Sequence, residues 1–102
     1  MCGIFGLVSN STIEDQILFN ATKKFLGDRG PDGINSFHRN NLYLSHSRLA
    51  INDLSEKGMQ PFSDKKKEVY SVTNGEIYNH KELIKEENLV LNTSNDCAVI
   101  PD

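Results

Sequence analysis

Met1-Cys2-Gly3-Ile4-Phe5-Gly6 opens the chain, and the reading of this stretch decides the rest. An initiator Met followed by a side chain as small as Cys is a substrate for removal, which would leave Cys2 as the N-terminus. One residue would then carry a thiol and a free α-amine. Unperturbed, these titrate near ~8.5 and ~7.7–8.0, so each exchanges protons close to neutral pH. A nucleophile and its base would come from a single residue, as in N-terminal Thr systems whose terminal amine activates the attacking oxygen. Gly3 and Gly6 permit close backbone approach. Ile4, Phe5, Leu7 and Val8 supply a strand that is apolar on both faces and so predicted to be buried between two layers. Taken alone, the stretch is better explained as an ordinary N-terminal strand with a buried Cys; the motifs downstream of it reverse that preference.

A chain of 102 residues is one small domain or part of one. With 37% apolar and 25% charged residues it has the balance of a soluble globular protein. A net charge of −3 gives no footprint for nucleic acid. The only basic run, Lys65-Lys66-Lys67, sits beside Ser63-Asp64 and reads as a solvated loop. No apolar run approaches the ~18 residues that span a bilayer, and no basic segment precedes an apolar one as in a secretory signal. Two cysteines, Cys2 and Cys97, are too few for a disulfide framework. Both are read as free thiols in a cytoplasmic protein.

Ser11-Thr12-Ile13-Glu14 has the spacing of a capping box, with Ser11 at the N-cap. Ile13, Ile17, Leu18, Ala21, Phe25 and Leu26 then recur as one helical stripe, with Gly27 as its stop. Asp28-Arg29-Gly30-Pro31-Asp32-Gly33 is a turn cluster. Ile34–His38 and Leu42–Ser47 read as a hairpin around Arg39-Asn40-Asn41, with Leu42 and Leu44 facing one way and Tyr43 and Ser45 the other. Residues 52–53 read as a polar loop and Ser55–Asp64 as irregular. Glu68–Thr73 is a predicted strand ending in Asn74-Gly75, after which Glu76-Ile77-Tyr78 reads as extended again, so the Asn-Gly marks a hairpin, a bulge or a site of close backbone approach. His80–Glu87 is a predicted helix capped by Asn79, Leu89–Leu91 a brief strand, and Thr93–Asp96 the start of a last helix at Cys97.

Four stretches stand together in order: the N-terminal Cys-Gly; Arg29-Gly30-Pro31-Asp32; Ser47-Arg48-Leu49-Ala50-Ile51 with Gln60-Pro61 after it; and Asn74-Gly75-Glu76-Ile77-Tyr78-Asn79. Together they resemble the glutaminase domain of class II glutamine amidotransferases, members of the N-terminal-nucleophile hydrolases, in the asparagine synthetase branch. The resemblance covers nearly the whole chain. It implies an α+β fold, the αββα sandwich, of which residues 1–102 are read as the N-terminal part with no synthetase domain. It also implies hydrolysis of glutamine's side-chain amide to glutamate and ammonia.

On that resemblance Cys2 attacks the amide carbon while its amine carries the proton to the departing ammonia. The Asn74 side-chain amide and the Gly75 N–H stabilise the oxyanion, one such donor being worth ~2.7–4 kcal/mol. Arg48 matches the clamp on the substrate's α-carboxylate. Asp96, assisted by Glu76, matches the acid that pairs with its α-ammonium. The plainer alternatives are a surface salt bridge for Arg48 and a helix N-cap for Asp96. Arg29 and Asp32 are read as bracing the turn beside the site. His38, His46 and His80 lack metal-ligand spacing, so no metal and no cofactor are expected. The chain departs from the family pattern at Asn95-Asp96-Cys97-Ala98, where a Ser and a Glu are lost, and at Asp28, which replaces a His.

The partners implied are L-glutamine and either a second copy or a synthetase polypeptide, with no nucleic acid and no membrane. The second sheet's strands are expected beyond residue 102, which would leave the strands around Ile4, Leu44 and Val72 with an open apolar face. The competing function is a catalytically inactive remnant that acts as a binding module.

Overall fold

The computed structural model describes residues 2–11, 13–30, 33–49 and 55–102. Met1, Pro31, Asp32 and residues 50–54, on which parts of the sequence reading fall, lie outside them, as does Thr12 of the expected capping box.

The organising unit is a three-stranded antiparallel sheet of β1 (Gly3–Val8), β2 (Gly33–Arg39) and β3 (Leu42–Arg48), in the order β1-β3-β2. The hairpin forms where alternation predicts it. Arg39 pairs with Leu42, leaving Asn40-Asn41 as a two-residue turn, and Asn40 takes the left-handed backbone (φ 54°) that such turns require. Register puts Ile4, Gly6 and Val8 on one face with Leu42, Leu44, His46 and Arg48. The opposite face carries Phe5, Tyr43, Ser45 and Ser47.

Helix α1 (Asp15–Leu26) lies against that second face. The contact is unusually polar. The Thr22 hydroxyl donates to the Leu18 carbonyl (3.0 Å), so the buried Ser45 hydroxyl 3.0 Å away must be the donor between the two. At the helix start, His38 Nδ1 on β2 meets the Asp15 carboxylate.

Several expectations are corrected. The helix begins at Asp15 behind an N-cap Glu14 that makes no side-chain cap bond, not at Ser11. The Ser9 hydroxyl accepts the Ser11 amide (3.2 Å) in a local turn, drawing Ser11 away from the helix. The buried stripe runs through Leu18 and Thr22, whereas Ile17 and Phe25 are exposed. Gly27 does end α1, as its C-cap, but with right-handed rather than left-handed backbone, so the chain runs on into a 3-10 turn over Gly27–Arg29. Nor is β1 sandwiched. It is an edge strand, only Gly3 of it is buried, and Val8, on the face away from α1, is 71% exposed.

The second half of the chain packs against the sheet's other face, the one that carries Leu44, His46 and Arg48. Its two-stranded sheet joins β4 (Phe62–Ser63) to β5 (Tyr70–Ser71). The Glu68–Thr73 strand is thus reduced to two residues, and its partner comes from a stretch read as irregular. Asp64 Oδ1 accepts the amides of Glu68 (2.8 Å) and Val69 (3.0 Å), turning the intervening lysines outward. Phe37 stacks on Tyr70 with centroids 3.7 Å apart, and Arg39 lies over both rings while donating to the Tyr70 hydroxyl, which ties the two sheets together.

Helix α2 (His80–Glu86) comes next; Asn79 occupies its N-cap without a side-chain bond. Leu89–Leu91 forms no strand: Asn88 turns through a left-handed conformation (φ 53°), and Leu91 packs on Phe62, Cys97 and Ala98. The last helix is a 3-10 turn, Asp96–Val99, whose cap is Asn95: its side chain accepts the Cys97 amide (3.0 Å).

Candidate functional site

Where β3 ends, its His46–Arg48 face meets the second half of the chain across a cleft of about 230 Å³. Register places Ile4 opposite His46, so Cys2 falls on the same face as His46 and Arg48. Its sulfur accepts the Leu49 N–H (3.3 Å) and lies 3.7 Å from the Leu49 carbonyl. The thiol is therefore fixed at the mouth of the cleft by the residue just past the strand.

Arg48 is 5% exposed and half committed. Its Nη1 donates to the Ser55 carbonyl (2.6 Å), while the buried Nη2 has no partner among the described residues. A buried, unpartnered guanidinium nitrogen is costly unless a ligand meets it. A surface salt bridge does not describe this residue.

The facing wall is the strap Thr73–Ile77, held at three points. The Gln60 side chain takes both backbone groups of Thr73, Oε1 accepting its N–H (2.6 Å) and Nε2 donating to its carbonyl (3.2 Å). The Cys97 thiol donates to the Gly75 carbonyl (3.5 Å). Asp96 Oδ2 accepts the Ile77 N–H (2.5 Å). Between these ties Asn74, Gly75 and Glu76 line the cleft and face solvent. Asp96 is thus not the cap of its turn: Asn95 serves there, and Asp96 is buried against the strap.

All six residues singled out from sequence, Cys2, Arg48, Asn74, Gly75, Glu76 and Asp96, line this one cleft. Sequence reasoning passed over three others. His46 is 2% exposed, and neither ring nitrogen has a partner among the described residues. Burial holds its pKa below the usual histidine value, the Thr73 backbone lying near enough to offset part of this without forming a hydrogen bond and the Arg48 charge adding to it, so the imidazole is neutral at pH 7. The signal was its place two residues before Arg48 on an alternating strand. Gln60 is the second. Gly30, which supports β3 from outside the cleft, is the third: its backbone lies so close to Ser47 and Arg48 that a Cβ would fall 2.2 Å from the Ser47 carbonyl carbon.

The two cysteines are free and chemically unequal. Burial pushes the Cys97 thiol up to about 11, helped by the Asp96 carboxylate beside it. Arg29 is exposed and does not line the cleft. Among the described residues no cluster of His, Cys, Asp or Glu is assembled that could hold a metal ion, and no helix is long and apolar enough to cross a membrane.

Comparison with known proteins places these features. A family model for the glutamine amidotransferase domain matches residues 1–101. Asparagine synthetase [glutamine-hydrolyzing] 1 of Lotus japonicus is 38% identical, over 98% of this chain and 17% of that protein. Asparagine synthetase [glutamine-hydrolyzing] 3 of Arabidopsis thaliana is 40% identical, over 98% of this chain and 18% of its own length. The corresponding protein of Sandersonia aurantiaca is 37% identical, with 98% and 19% covered. The chain spans about a fifth of the length of the curated relatives it matches.

Proposed function

Because the chain belongs to the glutamine amidotransferase domain family, we propose that its cleft hydrolyses the side-chain amide of L-glutamine to glutamate and ammonia. The observation that carries the proposal is the pairing across one cleft of a pinned thiol, Cys2, with a buried guanidinium nitrogen that has no partner among the described residues, Arg48 Nη2. One is a nucleophile and the other a socket for a carboxylate.

With Met1 removed, the Cys2 α-amine takes the thiol proton and Sγ bonds to the amide carbon. The carbonyl π pair moves onto oxygen, where the Asn74 amide and Gly75 N–H receive it. As that pair returns, the C–N bond breaks and the ammonium of Cys2 gives its proton to the departing ammonia. Water, deprotonated by the same amine, then cleaves the thioester to release glutamate. Arg48 holds the substrate's α-carboxylate as a fork. Asp96 and Glu76, both lining the cleft, supply the negative charge that meets the α-ammonium.

The finer fold assignment belongs to the same proposal: the three-stranded sheet and α1 are one β layer and one α layer of an αββα N-terminal-nucleophile sandwich. The ammonia would supply an amidation of the asparagine synthetase kind, carried out by a synthetase polypeptide or on an assembly of copies. A cytoplasmic setting, where both thiols stay reduced, suits a thiol nucleophile. Glutamate and ammonia release from purified protein tests the reading. Saturable turnover lost in Cys2→Ala supports it; glutamine binding without turnover leaves the inactive binding module as the function.

A further inference from the structure

We propose that Gln60 is a positioning residue that sets the oxyanion-binding strap in register with the Cys2 thiol. The inference rests on the glutaminase reading, but its structural half stands without it.

Gln60 is 4% exposed, and its amide makes two hydrogen bonds to one residue. Oε1 accepts the Thr73 N–H and Nε2 donates to the Thr73 carbonyl, the two contacts a neighbouring strand would make. The strap needs this because no strand is there. The ladder of β5 ends at Ser71, and the backbone then runs to Asn74 and Gly75. The downstream ties hold the Gly75 carbonyl and the Ile77 amide. Gln60 fixes the strap on the upstream side, one residue before the proposed oxyanion donors. A side chain imitating a strand leaves the next residues outside the ladder, so Asn74 and Gly75 line the cleft instead of pairing with a partner strand. Position here matters for rate, since a misplacement of about 1 Å at a reacting centre costs up to roughly a hundredfold.

The test uses the full chain and two readouts. Amide hydrogen exchange at Thr73 should be slow in the wild type and at least tenfold faster in Gln60→Ala, with exchange at Ser45 in the central strand unchanged. Glutamate γ-semialdehyde adds to a thiol as a thiohemiacetal whose oxygen sits where the oxyanion would. Gln60→Ala should bind it at least tenfold more weakly, while glutamate affinity and the rate of Cys2 alkylation by iodoacetamide change less than twofold. Gln60→Glu keeps the acceptor for the Thr73 N–H and should retain Thr73 protection. Unchanged Thr73 exchange in Gln60→Ala overturns the proposal, as does an equal loss of aldehyde and glutamate binding. A wild type that protects Thr73 yet binds neither compound overturns the glutaminase reading and, with it, any role for Gln60 beyond the fold.

Discussion

Replacing Gly30 by Ala should injure the fold and the cleft together, and the geometry says by how much. An added Cβ would lie 2.2 Å from the Ser47 carbonyl carbon, 2.3 Å from its oxygen and 2.4 Å from the Arg48 nitrogen. Non-bonded Cβ atoms essentially never come closer than 3.0 Å, so the two backbones must part by about 0.8 Å or more. Strand β3 cannot easily yield, because Ser47 is paired with Gly3 on one side and Ile34 on the other. The backbone of Gly30 (φ −140°, ψ 84°) is not in the left-handed region, so the cost is steric rather than conformational.

Overpacking of this kind costs about 1–3 kcal/mol, a large part of the ~5–15 kcal/mol that holds a domain together. At this chain length each kcal/mol lowers the Tm by roughly 4–8 °C. Urea unfolding should show the midpoint falling with the m-value unchanged. If Arg48 moves with the strand, kcat/KM for glutamine should fall by up to about a hundredfold. Gly27→Ala is the control: its nearest neighbour would be Ile34 Cδ1 at 3.8 Å and its backbone is already right-handed, so it should stabilise by about 0.4–1 kcal/mol. A Gly30→Ala protein as stable as the wild type would refute the close-approach argument, and equal damage from Gly27→Ala would show that the helix end, not the contact, is sensitive.

Intact mass should show loss of Met1, and a tagged or Met1-retaining form should label with a glutamine-like electrophile far more slowly than the processed chain; equal rates would sink the terminal-amine mechanism. Arg48→Lys should raise KM for glutamine with little change in kcat, because it removes the fork but not the charge. Asn74→Ala should instead lower kcat by about a hundredfold or more, since the oxyanion exists only along the reaction path; the opposite pattern would exchange the two assignments. Cys97 predicts an alkaline limit. Its thiol ionises near 9.0 when unfolded and at about 11 when folded, so its contribution is intact below pH 9 and lost as pH rises from 9 to 11. The loss should be on the order of 3 kcal/mol across that window. Denaturant titrations of Cys97→Ala should lack that extra slope relative to wild type; identical slopes would contradict it.

The elements with local causes were legible in the sequence. Alternation around Asn40-Asn41 specified the hairpin, and helical periodicity specified α1, with only its first turn displaced by the competing Ser9 hydroxyl. The six candidate site residues were reached through motif resemblance, and the fold gathers them at one cleft. What escaped were contacts between distant residues with no periodicity behind them. The close approach of Gly30 to Ser47 and Arg48 is one such contact, carried by backbone and so unmarked by any charge or apolar pattern in the Arg-Gly-Pro-Asp turn. Gln60 reaches Thr73 by imitating a strand, which no strand-propensity argument can anticipate. Exposure of Ile17 and Phe25 escaped for a related reason: apolar spacing marks a face, but what covers that face is decided elsewhere in the fold.

The inequality of the two sulfurs makes the chain its own chronometer. Cys97 is 2% exposed in the inner wall of the cleft, and burial pushes its thiol up to about 11 so that it stays protonated at pH 7, while half-buried Cys2 opens on the cleft. Electrophiles and peroxides in the native state therefore meet one sulfur. Cys97 becomes reactive only when its 3-10 turn opens and its pKa relaxes. A mass spectrum taken during alkylation would then carry two independent records: the first adduct counts accessible cleft thiols, and the second counts openings of the fold.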